Sequence, residues 1–341
     1  MSGPISPIEG YYIESDGGLL FAVKGLVHPP KAVVAYLRYA PDTNGERERK
    51  GIHYRRLYYF EEQKKLLQER CPTCLFFDPV FGERLQGVPR ERIRQVYDPC
   101  FKLEELRSRE NLDEVEKSAL DFGEILIDRA GVFKRYLGIS GSILLELHTP
   151  QSDIDIIVYG ADNCWAVHKA LETMLDEPST RVERLNRKEL EELYTFRSRD
   201  TPMNFEDFAR QERRKVIQGR FWGYKYFIRF ARVPSEVRES YGDRKCTSLG
   251  WAEVEATGTD ASEAIFTPCV YKIDDVQFVA TQAVPTMPPR EIVSFRGRFC
   301  EQAKEGERIL ARGKIESVVT REGEAYHRLL LGRPGDFMVV K

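Results

Sequence analysis

Apolar positions in the first 110 residues fall in short runs instead of a helical stripe. LLFAVKGLV (19–27) and KAVVAYLRYA (31–40) read as strands, separated by His28-Pro29-Pro30, where proline excludes both helix and central strand. After a turn at Pro41-Asp42-Thr43-Asn44-Gly45, the segment IHYRRLYYF (52–60) alternates aromatic and basic residues. A charged helix near 61–70 and a loop through Pro72, Pro79 and Gly82 follow. The period then changes. Leu112, Val115, Ala119, Phe122, Ile125, Leu126, Ala130 and Phe133 recur at three- and four-residue steps, which predicts one amphipathic helix over about 111–136. Tyr136 to Ser140 reads as a strand, Gly141 to His148 as a short helix, Asp153 to Tyr159 as a strand and Asp162 to Leu175 as a second helix, which makes a small mixed sheet with helices against it. Helices near 187–196 and 204–218 precede FWGYKYFIRFARV (221–233), which reads as a single strand. Beyond Pro234 the runs WAEVEATG (251–258), AIFTPCVYKI (264–273), VQFVATQAV (276–284), ERILARGKIESVV (307–319) and AYHRLLLG (325–332) read as strands. Asp274-Asp275 and Arg321-Glu322-Gly323 are the expected hairpin turns.

These patterns predict an α+β chain in three parts: an N-terminal α/β accessory part at 1–110, a mixed-sheet core at 111–233 and an all-β part at 234–341. A length of 341 residues with 42% apolar content is enough for several cores. The net charge of −2 excludes a broad attraction for nucleic acid, so any such attraction must be local. No run approaches the roughly 20 apolar residues that cross a bilayer, and MSGPISPIEG lacks the basic start and apolar stretch of a signal peptide. The expectation is a cytoplasmic protein with no membrane partner. Seven cysteines, thinly spread and odd in number, point to reduced thiols as the default.

The chemistry concentrates in LGISGSILLELHTPQSDIDIIVYG (137–160), where Gly141-Ser142 is followed after ten residues by Asp153-Ile154-Asp155. At the strand-to-helix turn, Gly141 lets the backbone approach a phosphate, and the Ser142 hydroxyl and the first N–H groups supply donors. Asp153 and Asp155 lie two apart on a strand, so both carboxylates leave one face while Ile154 is buried on the other. Hard oxygen ligands with open positions suit magnesium shared with substrate phosphates. Gly-Ser turns and Asp-x-Asp pairs each arise by chance in ordinary loops; it is their combination, at this spacing and with these apolar flanks, that points to a site.

On these residues the chain resembles the DNA polymerase β nucleotidyltransferase superfamily, closely over 137–160 and in architecture over 111–233. In particular it is similar to stand-alone predicted nucleotidyltransferases of archaea. The resemblance implies a nucleotidyltransferase core, triphosphate binding by Gly141 and Ser142, and two magnesium ions held by Asp153 and Asp155. Members of the superfamily usually add a third carboxylate from a neighbouring strand. Here the strand at 221–233 offers Lys225 and Arg229 instead, and Glu253 or Glu255, two apart on the next β segment, is the alternative ligand; a solvated strand face explains those two glutamates as well.

Residues 204–232 carry eight Lys/Arg against three acids, interleaved with Phe221, Trp222, Tyr224 and Tyr226. That patch suits a triphosphate tail or a nucleic-acid backbone, with Arg213, Arg214 and Lys215 as the phosphate contacts; a charged helix face followed by core aromatics is the plain alternative. Arg55 and Arg56 among tyrosines suit an acceptor groove or simply an outward strand face. Cys71-Pro-Thr-Cys74 has the spacing of half a zinc site, a redox pair, a structural turn or a local disulfide, with no second CxxC in support of zinc. The C-terminal strands resemble OB-like barrels, on whose open face Arg296, Arg298, Arg312, Lys314 and Arg328 would lie. The expected function is magnesium-dependent transfer of a nucleotidyl group from a nucleoside triphosphate to an acceptor hydroxyl, with an RNA or DNA end favoured over a protein side chain or small molecule. The alternative is a nucleotide- or nucleic-acid-binding protein that has lost turnover.

Overall fold

Alternation, not helical period, decides the first hundred residues. In this computed structural model, which describes residues 7–282 and 287–341, five strands come first: β1 (Tyr12–Ser15), β2 (Leu20–Val23), β3 (Ala32–Pro41), β4 (Arg47–Arg49) and β5 (Ile52–Arg56). Helix α1 (Phe60–Arg70) is followed by β6 (Leu75–Asp78), β7 (Glu83–Pro89) and β8 (Ile93–Tyr97). The sheet runs β4-β5-β3-β2-β1-β8, with β7 pairing both β3 and β6. Strand β3 buries Val33, Ala35 and Leu37 while Tyr36 and Arg38 stay half-exposed, the period of a sheet with one face in the core.

Capping chemistry sets the helices that follow. Asp98 accepts from the Cys100 and Phe101 N–H groups and starts α2 (Pro99–Ser108). Asp113 and Glu116 form a capping box at the head of α3 (Glu114–Ala130), which Gly131 ends at φ 65°. Next come β9 (Leu137–Ile139), α4 (Gly141–Leu144), β10 (Ile154–Tyr159), α5 (Ala161–Leu175) and β11 (Val182–Glu183), then α6 (Arg187–Arg197), α7 (Phe205–Glu212), β12 (Gln218–Phe221) and β13 (Tyr224–Ala231). The second sheet runs β11-β12-β13-β10-β9, with β10 parallel to β13 and its other pairs antiparallel. The single strand expected at 221–233 is instead the end of a hairpin. Trp222 and Gly223, at φ 50° and 87°, supply the two positive angles of its tight turn.

The chain forms two compact units where three parts were expected. The first holds the described residues up to Asp78 with 84–183 and 217–241; the second holds 79–83, 184–216 and 242–341. Residues 1–110 do not stand apart from the core, because Ile157, Tyr159 and Ala231 of the second sheet share one hydrophobic cluster with Ile13, Phe21, Val33 and Leu37 of the first. Helices α6 and α7 belong with the C-terminal strands for a physical reason. The Asp200 carboxylate accepts from Arg296 at 2.9 Å and also from Arg298, Arg214 pairs with Glu307 at 2.8 Å, and the Gln211 amide donates to the Met338 carbonyl at 3.4 Å.

In the second unit, β14 (Arg244–Glu263), β15 (Cys269–Thr281), β16 (Pro289–Ser294), β17 (Arg308–Thr320) and β18 (Ala325–Leu331) close a ring of pairings β14-β15-β16-β18-β17-β14. Strands β16 and β18 are parallel, and β19 (Phe337–Val340) adds to β17. Asp274-Asp275 is no hairpin turn. It is an irregularity inside β15, where the register slips between Thr257↔Asp274 and Glu255↔Gln277 and Asp275 takes φ 50°. Up to Thr281 the run expected at 276–284 continues β15, and its last two residues, 283 and 284, lie outside the described residues, as do residues 1–6 of the N-terminal segment read for targeting. The turn at Arg321-Glu322-Gly323 is present, Gly323 donating to the Thr320 carbonyl at 3.0 Å. No helix among the described residues is long and apolar enough to cross a membrane.

Removing Asp200 strands the Arg298 guanidinium, whose side chain is only 12% exposed. Asp200→Ala should therefore cost the second unit about 2–4 kcal/mol. Amide exchange in β16 and β18 should accelerate while that of β10 stays constant; equal protection in the variant would show that the ion pair does not hold α6 and α7 in this unit.

Candidate active site

Gly141 is the residue around which the site closes. It sits at φ 64°, and a Cβ built there would lie 1.9 Å from Oδ2 of Asp155. No side chain fits, so the backbone at the head of α4 lies directly against a carboxylate. The Ser140 N–H donates to the Asp155 carbonyl at 2.8 Å, locking turn to strand, and the Ser140 hydroxyl donates to the Gly10 carbonyl at 2.7 Å. Ser142 is buried beside Gly141. Leu144, Leu145 and Leu147 pack with Tyr12, Leu20, Tyr39 and Tyr54, so the turn is braced against the first sheet.

Ile154 is fully buried, whereas Asp155 is half-exposed and Asp153 open to solvent just before β10 begins. The two acids share the face that the two-residue period requires. Protein still surrounds Asp153 closely enough that desolvation, reinforced by the Asp155 charge and opposed by Arg56, Lys225 and Arg47, raises its pKa to about 6. Burial also raises Asp155, against the pull of Arg56, Arg229 and Arg38. An Asp153 carboxylate partly desolvated within the field of a second carboxylate is less stable ionised alone than beside a cation.

The neighbouring strand supplies no acid. In the parallel register Asp155 faces Phe227, which places Lys225 and Arg229 on the same face of β13. Arg229 donates to Glu9 at 2.9 Å; that fully buried glutamate also takes Lys24 at 2.9 Å and the Gly25 N–H at 2.7 Å. Glu253 and Glu255 lie on β14 of the second unit, where Glu255 pairs with Lys341 and Arg308. Of the four residues expected to form the site, Gly141 lies against Asp155, with Ser142 next to the one and Asp153 within the field of the other. Arg213, Arg214 and Lys215, chosen for phosphate contacts, belong to the second unit. There Arg214 pairs with Glu307, and Lys215 is buried, donating to Glu212 at 2.8 Å and to the Arg298 carbonyl at 2.6 Å; only Arg213 is exposed.

Over 329 residues the chain is 31% identical to the protein named "Uncharacterized protein MJ1086" from Methanocaldococcus jannaschii, and the match covers 94% of each chain. The chain belongs to the MJ1086 family. No family model and no solved structure matches it.

Sequence reading missed several groups in this MJ1086-family fold. Arg38 and Arg47 act on the two aspartates, and the alternation of KAVVAYLRYA put Arg38 on the polar face of its strand without telling what that face meets. Arg56, read as part of an acceptor groove or as an outward strand arginine, is the foremost opposing charge on both aspartates, while Arg55 pairs with Asp42 at 3.5 Å. A second group, Asp113, Glu116 and His148, offers ligand atoms all within 4.8 Å of one another. Each already has a local role: the two acids cap α3, Glu116 takes Arg109 at 2.7 Å, and His148 meets Asp113 at 2.8 Å. Cys71 and Cys74 form a disulfide with an S–S distance of 2.08 Å, and the other five cysteines are free.

Two outcomes check this geometry. Gly141→Ala should destabilise the protein by on the order of 2–4 kcal/mol in chemical denaturation, combining left-handed backbone strain with overpacking against Asp155; a neutral change would show that the close approach is dispensable. For Asp153, the raised pKa means that the folded chain holds the proton more tightly than the unfolded one. Its stability contribution therefore falls as pH rises from about 4 to about 6 and stays unfavourable above. With a chelator present, Asp153→Asn should raise the melting temperature at pH 7 and leave it unchanged near pH 3.5; a lower value at pH 7 would contradict the repulsion described.

Proposed function

We propose that the chain is a magnesium-dependent nucleotidyltransferase that moves a nucleotidyl group from a nucleoside triphosphate to an acceptor hydroxyl. The observation that carries this reading is the contact of the Gly141 backbone with the Asp155 carboxylate, which seats the Gly-Ser turn beside two acids two residues apart. The donor set fits magnesium: carboxylate oxygens from two side chains, with the remaining positions left to water and substrate phosphates. Asp153 and Asp155 would hold the ions, which when bound would offset the phosphate charge and make the acceptor hydroxyl easier to deprotonate. Gly141 and Ser142 would seat the triphosphate, and most of the rate would come from holding the acceptor and the α-phosphate in line.

Support for an RNA or DNA end as acceptor comes from the second unit, whose strand ring with a parallel β16–β18 pair has the order of an OB-like barrel. The basic face expected there is largely spent inside the unit. Arg296 and Arg298 pair with Asp200, Lys314 with Glu83 and Glu316, Arg328 with Glu316 at 2.8 Å, and Arg312 stacks on Trp251 at 4.2 Å. A protein or small-molecule acceptor therefore stays within the proposal. One observation favours a second reading, a nucleotide-binding protein without turnover: β13 presents Lys225 and Arg229 where a third carboxylate is expected.

Incubation with each labelled triphosphate, magnesium and a whole-cell extract that supplies RNA, DNA, protein and small-molecule acceptors distinguishes the two. The wild type should transfer label, and Asp153→Asn combined with Asp155→Asn should reduce transfer at least 1,000-fold, on the order expected when a metal centre is lost, and abolish magnesium-dependent nucleotide binding. Binding without transfer in the wild type selects the second reading; parental transfer by the double variant overturns the site.

A further inference from the structure

The N-terminal sheet brings a set of cations to the aspartate face that neither the Gly-Ser turn nor β13 provides. Arg38 lies on β3 and Arg56 at the end of β5, adjacent strands whose register sets Tyr39 opposite Arg56. Their guanidinium groups lie over the ring of Tyr58, at 5.1 Å for Arg38 and 4.5 Å for Arg56, so one aromatic side chain holds both heads in place. Tyr39, opposite Arg56, is buried in one cluster with Leu144, Leu145 and Leu147 just after the Gly-Ser turn, so this pair of strands lies against the connection to the aspartates. Arg56 is the foremost opposing charge on both aspartates. Even so, none of the ion pairs among the described residues joins Arg38 or Arg56 to either carboxylate, and the buried Nε of Arg56 has no hydrogen-bond partner.

A guanidinium near a carboxylate normally closes to contact, because bidentate pairing is its strongest interaction. Here both guanidinium groups stack on Tyr58 and neither pairs with a carboxylate among the described residues, which leaves donors for another anion. Arg47 has a different task. Its Nη1 donates to the Leu147 carbonyl at 3.1 Å, to Thr149 Oγ1 at 3.3 Å and to Ser152 Oγ at 3.1 Å, fastening the connection between Gly-Ser turn and aspartate strand.

We propose that Arg56 and Arg38 bind the triphosphate of the nucleotide, with Tyr58 as the residue that positions them, in the role that sequence had given to Arg213, Arg214 and Lys215. This rests on the nucleotidyltransferase reading for its substrate, a nucleoside triphosphate, but the phosphate seat itself is a property of the first sheet. Phosphate oxygens bound there would meet guanidinium donors from Arg56 and Arg38 and the magnesium that the aspartates would hold. The bases of the triphosphate series are not distinguished by this seat, since it recognises the phosphate chain alone.

Calorimetric titration of the full chain with inorganic tripolyphosphate, and with each of the four ribonucleoside triphosphates plus magnesium, tests it. Arg56→Gln and Arg38→Gln should each weaken both ligands by roughly 10- to 100-fold, the span of one lost charged hydrogen-bond pair, and should flatten the salt dependence. Arg56→Lys should recover part of the loss, which also controls for misfolding. Tyr58→Phe should bind as the wild type and Tyr58→Leu less tightly, with the melting temperature unchanged in both. Arg213→Ala with Arg214→Ala should leave affinity unaltered. Unchanged affinity in the Arg56 and Arg38 variants of a protein that binds magnesium nucleotide overturns this seat and leaves the nucleotidyltransferase reading standing. Tripolyphosphate binding that depends on Arg56 but not on Asp153 and Asp155, with no magnesium effect, keeps the seat and removes that reading. Failure of the wild type to bind either ligand overturns both.

Discussion

The approach of the Gly141 backbone to the Asp155 carboxylate leaves no room for a Cβ, and the surrounding structure is arranged to keep it so. Three independent attachments hold the turn: the Ser140 N–H on the Asp155 carbonyl, the leucines of 144–147 against the tyrosines of the first sheet, and Arg47 on the connection that follows. None of the three would be needed to stabilise a surface loop. Together they fix the Gly-Ser turn against the aspartate strand, where burial and the Asp155 charge disfavour the ionised Asp153, an arrangement that costs stability and persists only when the packing around it determines it.

That constraint gives the first 110 residues their place. They form one core with the mixed sheet, so Ile157, Tyr159 and Ala231 on one side and Ile13, Phe21 and Leu37 on the other exclude water together. Their polar face carries Arg38 and Arg56 to the aspartates, and the buried Glu9 pairs with both Arg229 and Lys24. In the second unit, acids and bases are matched internally instead: Lys314, Glu316 and Arg328 form a buried network with each member satisfied by another.

The elements that sequence made legible are those whose signal is local. The heptad-like run from Leu112 gave α3, the spacing from Gly141 to Asp155 gave the turn and β10, and the β-rich runs after Pro234 gave the ring of strands. What escaped depended on partners far along the chain. A strand of LGWAEVEATG type does not announce that it continues for 20 residues through β14, and the Asp274-Asp275 pair reads as a turn until its cross-strand register is known. Lys215 looked like a phosphate ligand because its burial against Glu212 is set by the fold, not by its neighbours in sequence. The three-part division failed for the same reason, since Asp200 meets Arg296 and Arg298 across almost a hundred residues.

The proposed role of Asp153 and Asp155 is to hold a divalent cation together with a nucleotide. Anomalous diffraction from crystals grown with manganese and a non-hydrolysable triphosphate measures this directly. The expected result is manganese bound to Asp153 and Asp155 with phosphate oxygens completing its coordination beside Gly141. Manganese found only at Asp113, Glu116 and His148, with the aspartate pair lacking metal, would contradict it.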